Sequence, residues 1–316
     1  MCSETRPNAK PETVTSNYRL TLADKTELTI MTTIDELIKQ AFAEDIEDGD
    51  HTTLATVDKD ITQKARLLVK DNGMIAGIDI ARKVFNIYDP SIKMETFIED
   101  GSLVKNGDIA FIVEGKAQSI LTAERLVLNI MQRMSGIATR AYHLCELIKD
   151  TNCKLLDTRK TTPNFRIFEK EAVKIGGGHT LRFGLFDMIL IKDNHVDYSG
   201  GIANALNKTF AYLKQNNKDL KIEIEIRNIP ELKEVLSIGD VYRILIDNFD
   251  TTTLKEAVAL VKEYNANHDM KIYTEASGGI NETNIREYAL TGVDFISLGA
   301  LTHSYKSLDL SLKAYQ

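Results

Sequence analysis

Short apolar runs in the second half of the chain repeatedly stop at a charged residue or a glycine turn. The six runs are Lys154–Asp157, Met188–Lys192, Lys221–Ile226, Arg243–Asp247, Lys271–Glu275 and Asp294–Leu298. Between them lie segments long enough for amphipathic helices, among them Ile202–Asn216, Pro230–Ile238 and Thr252–Asn265. Repeated βα units of this size predict a parallel sheet. No glycine-rich dinucleotide turn follows the first strand, so closure into an α/β barrel is expected over an open sheet. Such barrels bury the strand bodies and expose the carboxyl ends, where the working residues sit.

The first half has a different period. Thr33 to Asp45 reads as a helix with Ile34, Leu37, Ile38 and Phe42 on one face. Short strands are predicted over Ala65–Val69, Met74–Ile78, Lys93–Ile98 and Ile109–Val113, set off by Gly73, Gly101 and Gly107, with a helix over Ile80–Tyr88. Thr122 is a candidate cap for a helix carrying Leu126, Ile130, Met131 and Met134, and Gly136 within it implies close packing or a break. Residues 1–17 are polar and predicted to be disordered; Tyr18–Met31 alternates weakly, as an edge strand would.

Composition narrows the function. With 43% hydrophobic and 27% charged residues, the chain can bury a sizeable core. A net charge of −7 argues against a general nucleic-acid or anionic-membrane surface, but not against a local pocket for an anion. Cys2, Cys145 and Cys153 have no metal spacing and form no disulfide framework, so a reduced, cytoplasmic setting is the expectation. No apolar run reaches the length of a membrane span, and no signal-peptide core is present.

The strand ends would gather cations and carboxylates on one rim. Arg159 can grip a carboxylate or phosphate through two parallel hydrogen bonds, with Lys160 and the hydroxyls of Thr161 and Thr162 beside it. A solvated βα loop is the alternative. Gly176–Gly178 would let the backbone approach a ligand or make a flexible turn, with Arg182 close by. Lys192 can be an anion ligand, a Schiff-base amine or an ion-pair partner of Asp193; His195 reads as a satisfied polar contact. Glu225 and Asp247 can hold Mg²⁺, stabilise a cationic sugar transition state, or neutralise nearby cations. Ser277, Gly278 and Gly279, with Ser297 and Gly299, fit late-strand phosphate loops or tight turns.

Taken in order, these stretches resemble the quinolinate phosphoribosyltransferase family. The matching pieces are Glu44-Asp45 with Gly49-Asp50 and Thr52-Thr53, then Glu124-Arg125 with Leu128-Asn129 and Ser135–Thr139. Asp157–Pro163, Gly176–Gly178 with Arg182, Leu190–His195, Ile222–Glu225 and Asp247-Asn248 follow, and then Glu275–Ile280 and Gly292–Ser304. The resemblance implies an α/β sandwich domain over residues 33–123 plus 296–316, an incomplete, seven-strand type α/β barrel over 124–295, and an extension over 1–32 outside it. It implies transfer of a phosphoribosyl group from phosphoribosyl pyrophosphate to quinolinate, with decarboxylation and Mg²⁺. It further implies a homodimer or a hexamer built from dimers, with Arg125 acting in the partner's site.

On this resemblance Lys160, Glu225 and Asp247 are the catalytic candidates. Arg125, Arg159, Thr161, Arg182, Lys192, Ser277–Gly279, Ser297 and Gly299 complete the substrate-binding set, and Glu225 and Asp247 approach the metal through substrate and water. Two positions depart from the family pattern: Leu181 stands where a substrate-contacting histidine is usual, and Asn164 where glycine is usual. Leu181 keeps open a sister phosphoribosyltransferase acting on another aromatic carboxylate. A lyase using Lys192, or a non-catalytic relict, are the more distant alternatives.

Overall fold

The computed structural model describes residues 33–315. The expected edge strand over Tyr18–Met31, the disorder over 1–17 and the extension over 1–32 lie outside them. The chain opens with α1 (Ile34–Ile46) and α2 (His51–Thr56), the latter capped by Asp50, whose carboxylate accepts from Thr53 N at 3.0 Å. Ile38 and Phe42 of α1 are buried, with Ile34 and Leu37 packed at the edge of the core, as the periodicity requires.

Next come β1 (Thr62–Val69), β2 (Gly73–Met74), α3 (Ile78–Tyr88), β3 (Lys93–Thr96), β4 (Leu103–Val104) and β5 (Ile109–Lys116). The strand expected over Met74–Ile78 stops after two residues. Gly77 turns the chain at φ +101°, and Asp100 Oδ1 accepts from Ile78 N at 2.8 Å, so α3 starts there. That start is two residues earlier than the apolar pattern alone gives.

α4 (Ala117–Ile148) is one unbroken helix of 32 residues. Thr122 is therefore not its cap. Its hydroxyl lies in the second turn and bonds to Gln118 O at 3.0 Å and to Asp50 Oδ2 at 3.1 Å. Gly136 marks close packing rather than a break: a Cβ there would stand 2.2 Å from Lys306 O. α4 also runs straight through the domain boundary expected at 123/124.

The parallel units follow: β6 (Lys154–Leu156), α5 (Arg166–Ile175), β7 (Ile189–Ile191), α6 (Asp193–Ser199), α7 (Ile202–Gln215), β8 (Ile222–Ile226), α8 (Ile229–Ile238) and β9 (Arg243–Asp247). After these come α9 (Thr251–Ala266), β10 (Tyr273–Ser277), α10 (Ile285–Ala289), β11 (Phe295–Ser297), α11 (Ala300–His303) and β12 (Leu310–Tyr315). Six strands form one parallel sheet in the order β6-β11-β10-β9-β8-β7. Beyond β6 a single residue, His179, bridges to Leu156, which supplies the seventh position of an incomplete barrel. The sheet stays open between that bridge and β7.

β12 leaves the barrel and pairs antiparallel with β1, completing the four-stranded sheet β12-β1-β5-β3. The return of the C-terminus to the first domain is thus present. Its start is later than the expected boundary at 295/296, because β11 pairs with β10 and β6 in the barrel sheet.

Candidate active site

Strand alternation sorts the barrel's inward residues into levels. Glu223 and Glu225 of β8, Arg243 and Asp247 of β9, Glu275 and Ser277 of β10, and Ser297 of β11 all fall on the inward positions. Glu225, Asp247, Ser277 and Ser297 stand at or near the carboxyl ends, and Asp247 is the register partner of Ser277. Deeper in the barrel, Arg243 donates to Glu275 Oε2 at 2.6 Å, lies 3.6 Å from Glu223 and stacks 4.3 Å over the Phe295 ring. Burial, reinforced by the charge of Glu275, raises the Glu223 carboxyl well above its ordinary pKa. These three ionisable side chains are a floor beneath the rim, and sequence reading missed them as a group. The signal was there: three ionisable residues at inward positions of strands otherwise built to be buried.

On the rim, Lys192 Nζ lies 3.4 Å from Glu225 Oε2. Of the readings open for Lys192, the ion pair is the one formed, but with Glu225 on the next strand rather than with Asp193. Glu225 is nearly buried, and burial raises its pKa; Lys192 opposes the rise, and the charge of Asp247 adds to it. His195 is a local bonding residue: its Nδ1 accepts from Lys192 N at 2.9 Å, at the start of α6.

The Asp157–Pro163 loop follows β6. Asp157 is fully buried, and its Oδ1 accepts from Lys170 Nζ at 2.5 Å and from Leu181 N at 3.0 Å. Arg159 is half-buried, and its Nε has no hydrogen-bond partner among the described residues. Lys160 is exposed, and its side chain runs past Gly299, where a Cβ would stand 2.7 Å from Lys160 Cδ. Its carbonyl accepts from Thr302 Oγ1 at 2.8 Å. Thr161 Oγ1 accepts from Arg166 Nε at 2.9 Å. Asn164 takes a left-handed φ of +61°, which asparagine tolerates.

Arg182 is buried, with its NH1 donating to Met188 O at 3.2 Å. Burial lowers its pKa, the nearby Arg159 guanidinium lowers it further, and Glu223 works the other way. Arg159 and Arg182 are thus near enough for their charges to interact. Gly176 and Gly178 contribute packing instead of a ligand cradle: a Cβ at Gly176 would meet Ala138 O at 2.5 Å, and one at Gly178 would meet Val173 Cγ1 at 2.6 Å. His179 does not replace Leu181. It is held in the bridge to β6, and its neighbouring charge is Lys154 at the other end of that strand.

Ser277, Gly278 and Gly279 form the turn after β10. Gly278 has φ +87°, and Asn248 Oδ1 sits 2.2 Å from where its Cβ would be. Gly279 has φ +65° and open space beside it, so its N–H and Cα face can be approached closely. Arg125 is exposed on α4 and makes no bond to the rim among the described residues.

Residues 50–135 match the N-terminal domain of the quinolinate phosphoribosyl transferase family, and residues 137–313 match its C-terminal domain. The chain belongs to this family. It is 43% identical over 294 residues to a chloroplastic nicotinate-nucleotide pyrophosphorylase (carboxylating) of Arabidopsis thaliana, covering 88% of this chain and 81% of that one. It is 38% identical over 278 residues to a probable nicotinate-nucleotide pyrophosphorylase (carboxylating) of Bacillus subtilis, covering 88% of this chain and 92% of that one. The solved nicotinate-nucleotide pyrophosphorylase from Francisella tularensis superposes with a TM-score of 0.81 at 37% identity, covering 89% of this chain and 96% of that one.

Proposed function

We propose that this protein transfers the phosphoribosyl group of phosphoribosyl pyrophosphate to quinolinate, releasing pyrophosphate and CO₂ and forming nicotinate mononucleotide. The observation that carries this reading is the rim itself. The charges of Arg159 and Arg182 interact, and so do those of Lys192, Glu225 and Asp247, in a chain of this family.

Quinolinate is a dicarboxylate, which suits Arg159, Lys160 and Arg182. Thr161 Oγ1 accepts from Arg166 at 2.9 Å and donates to Arg159 O at 3.5 Å, so it steadies the backbone that carries Arg159. Lys192, the turn Ser277–Gly279 and the end of β11 at Ser297–Gly299 suit phosphate and pyrophosphate oxygens. As the ring nitrogen bonds to the anomeric carbon and pyrophosphate departs, positive charge develops on the sugar. Glu225 and Asp247 are placed to stabilise it by their field. The ribosylated nitrogen then accepts the electron pair left when the 2-carboxylate departs as CO₂, and that carbon takes up a proton. No covalent intermediate with the protein is required. Lys160 contributes as a cation held over Gly299.

Glu225 and Asp247 fit a hard divalent cation in their donor chemistry, and the mutual repulsion seen at Glu225 is what such an ion would relieve. Among the described residues no cluster of three or more ligating side chains occurs. Mg²⁺ would therefore be held here by two carboxylates, with substrate and water oxygens completing its shell, and it would neutralise pyrophosphate charge.

Arg125, exposed on α4 and apart from the rim, suits a role in the site of a second subunit, so the working form would be a homodimer or a hexamer of such dimers. Cys145 and Cys153 are free thiols whose burial raises their pKa to about 11 and about 12, consistent with structural roles in a reducing cytoplasm. No described helix is long and apolar enough to cross a membrane.

A sister activity on a different aromatic carboxylate is favoured by one observation, Leu181, an apolar residue whose N–H is held by Asp157 and which directly precedes Arg182. Comparing kcat/KM for quinolinate and nicotinate tests the choice. Quinolinate preferred by about 100-fold or more supports the leading reading, as losing a charge-assisted pair would demand; equal or reversed preference supports the sister.

A further inference from the structure

α5 turns a charged face inward. Arg166, Glu169 and Lys170 share one side at helical spacing, and Glu169 and Lys170 are buried. A helix in a βα unit ordinarily presents an apolar stripe to the sheet, so three charges here call for a reason, and each of them has partners. Arg166 Nε donates to Thr161 Oγ1 at 2.9 Å, its NH1 donates to Phe183 O at 2.9 Å, and its guanidinium lies 5.9 Å over the Phe183 ring. Glu169 accepts from Thr162 N at 3.1 Å and from Arg133 Nε at 2.9 Å. Lys170 holds Asp157, which in turn holds Leu181 N.

Apart from the bond of Glu169 to Arg133 on α4, these bonds run to two loops. One loop, 157–163, carries Arg159 and Lys160. The other, 179–188, carries Arg182. Glu169 braces the first loop alone, whereas Arg166 reaches both directly and Lys170 does so through Asp157. Arg159 and Arg182 repel each other, so their own charges push the loops apart and the bonds from α5 oppose that push. A guanidinium suits the task because its fork donates in one plane to two acceptors at a fixed spacing, which an ammonium on a flexible stem does not.

We propose that Arg166 is a positioning residue that fixes the separation between the Arg159–Lys160 loop and the Arg182 loop, and so selects an acceptor with two neighbouring ring carboxylates over one with a single carboxylate. This rests on the function proposed above.

The test uses the full-length protein and its Arg166→Met and Arg166→Lys variants. Steady-state constants are measured with quinolinate, nicotinate and phosphoribosyl pyrophosphate, beside melting temperatures and calorimetric binding of quinolinate. In Arg166→Met the KM and Kd for quinolinate rise about 10- to 100-fold, as loss of charged hydrogen bonds predicts. The KM for phosphoribosyl pyrophosphate stays within about twofold, and the preference for quinolinate over nicotinate narrows. Arg166→Lys falls between, and it carries the test if Arg166→Met does not fold. Variants that melt lower but keep the wild-type KM and preference overturn the proposal, leaving Arg166 a brace for stability alone. An equal rise in KM for both co-substrates overturns it too. Wild-type protein that turns over neither pyridine overturns the functional reading and this inference together, whereas active wild type with unaltered variants overturns only the inference.

Discussion

Asp247 faces Ser277 across the pairing of β9 with β10. The carboxylate at the end of one strand and the turn at the end of the next therefore share a level of the barrel. Asn248 joins them. Its Nδ2 donates to Asp247 Oδ2 at 2.5 Å, its N donates to Ser277 O at 2.8 Å, and its Oδ1 occupies the space beside Gly278.

That arrangement separates two neighbouring glycines. Alanine at Gly279 meets open space and suffers only its left-handed φ, a cost of about 1–2 kcal/mol. Alanine at Gly278 must in addition displace Asn248, and with it the Asp247 carboxylate. Gly278→Ala should lower kcat/KM by about 100-fold, the scale of a misplaced reacting group. Gly279→Ala should fall much less. Kinetics of both variants, with melting curves to confirm folding, check the contrast.

Gly136→Ala separates helix propensity from packing. Alanine is the better helix former by about 1 kcal/mol. Its methyl, however, would collide with the Lys306 backbone, which cannot swing aside as a side chain end would. Overpacking of this kind costs about 1–3 kcal/mol, and here the upper end or beyond is expected. Urea unfolding should show a net loss of stability. A gain would mean that the segment carrying Lys306 yields freely.

The apolar rhythm made the barrel legible. Each of the six runs became a strand within two residues of its expected position, since a strand buried on both faces has little freedom in composition. The rim cations and carboxylates were legible for the same reason: a strand end fixes where a side chain points. Besides the buried group of Arg243, Glu223 and Glu275, three things were not. The strand at Met74–Ile78 failed because the Asp100 cap, distant in sequence, recruits Ile78 into α3. Thr122 looked like a cap because nothing local shows that α4 begins five residues earlier. The charged face of α5 was hidden because Arg166, Glu169 and Lys170 have their partners in two loops and on α4, most of them more than ten residues away along the chain. Local patterns carry periodicity well and long-range polar pairing poorly.

The buried pair of Lys170 and Asp157 gives a pH signature. Burial raises the Asp157 pKa and lowers that of Lys170, each against the pull of the other's charge. A carboxyl whose folded pKa is raised contributes stability that is fully present below the ordinary value of about 3.9 and is lost as pH rises through the folded value. The lowered lysine acts at the alkaline end, where stability recovers as pH climbs toward the ordinary lysine value. Among the described residues, Lys170 is the one charge that both opposes the rise at Asp157 and bonds to it. Lys170→Met should cost about 3–5 kcal/mol near neutral pH, and its melting temperature, relative to wild type, should improve as pH is lowered. Asp157→Asn combined with Lys170→Met should be more stable than Lys170→Met alone. Calorimetry from pH 4.5 to 8 measures both effects, and a Lys170→Met deficit that is flat with pH would contradict the assignment.

The chemistry at the rim is tested by following both products at once. Purified protein is mixed with quinolinate, phosphoribosyl pyrophosphate and Mg²⁺, and nicotinate mononucleotide and CO₂ are quantified together over time. Both should form, in a one-to-one ratio, and Lys160→Ala should lower the rate by about 100-fold or more, as loss of an electrostatic group in such a site does. Folded wild-type protein that yields neither product, or CO₂ without the mononucleotide, would contradict it.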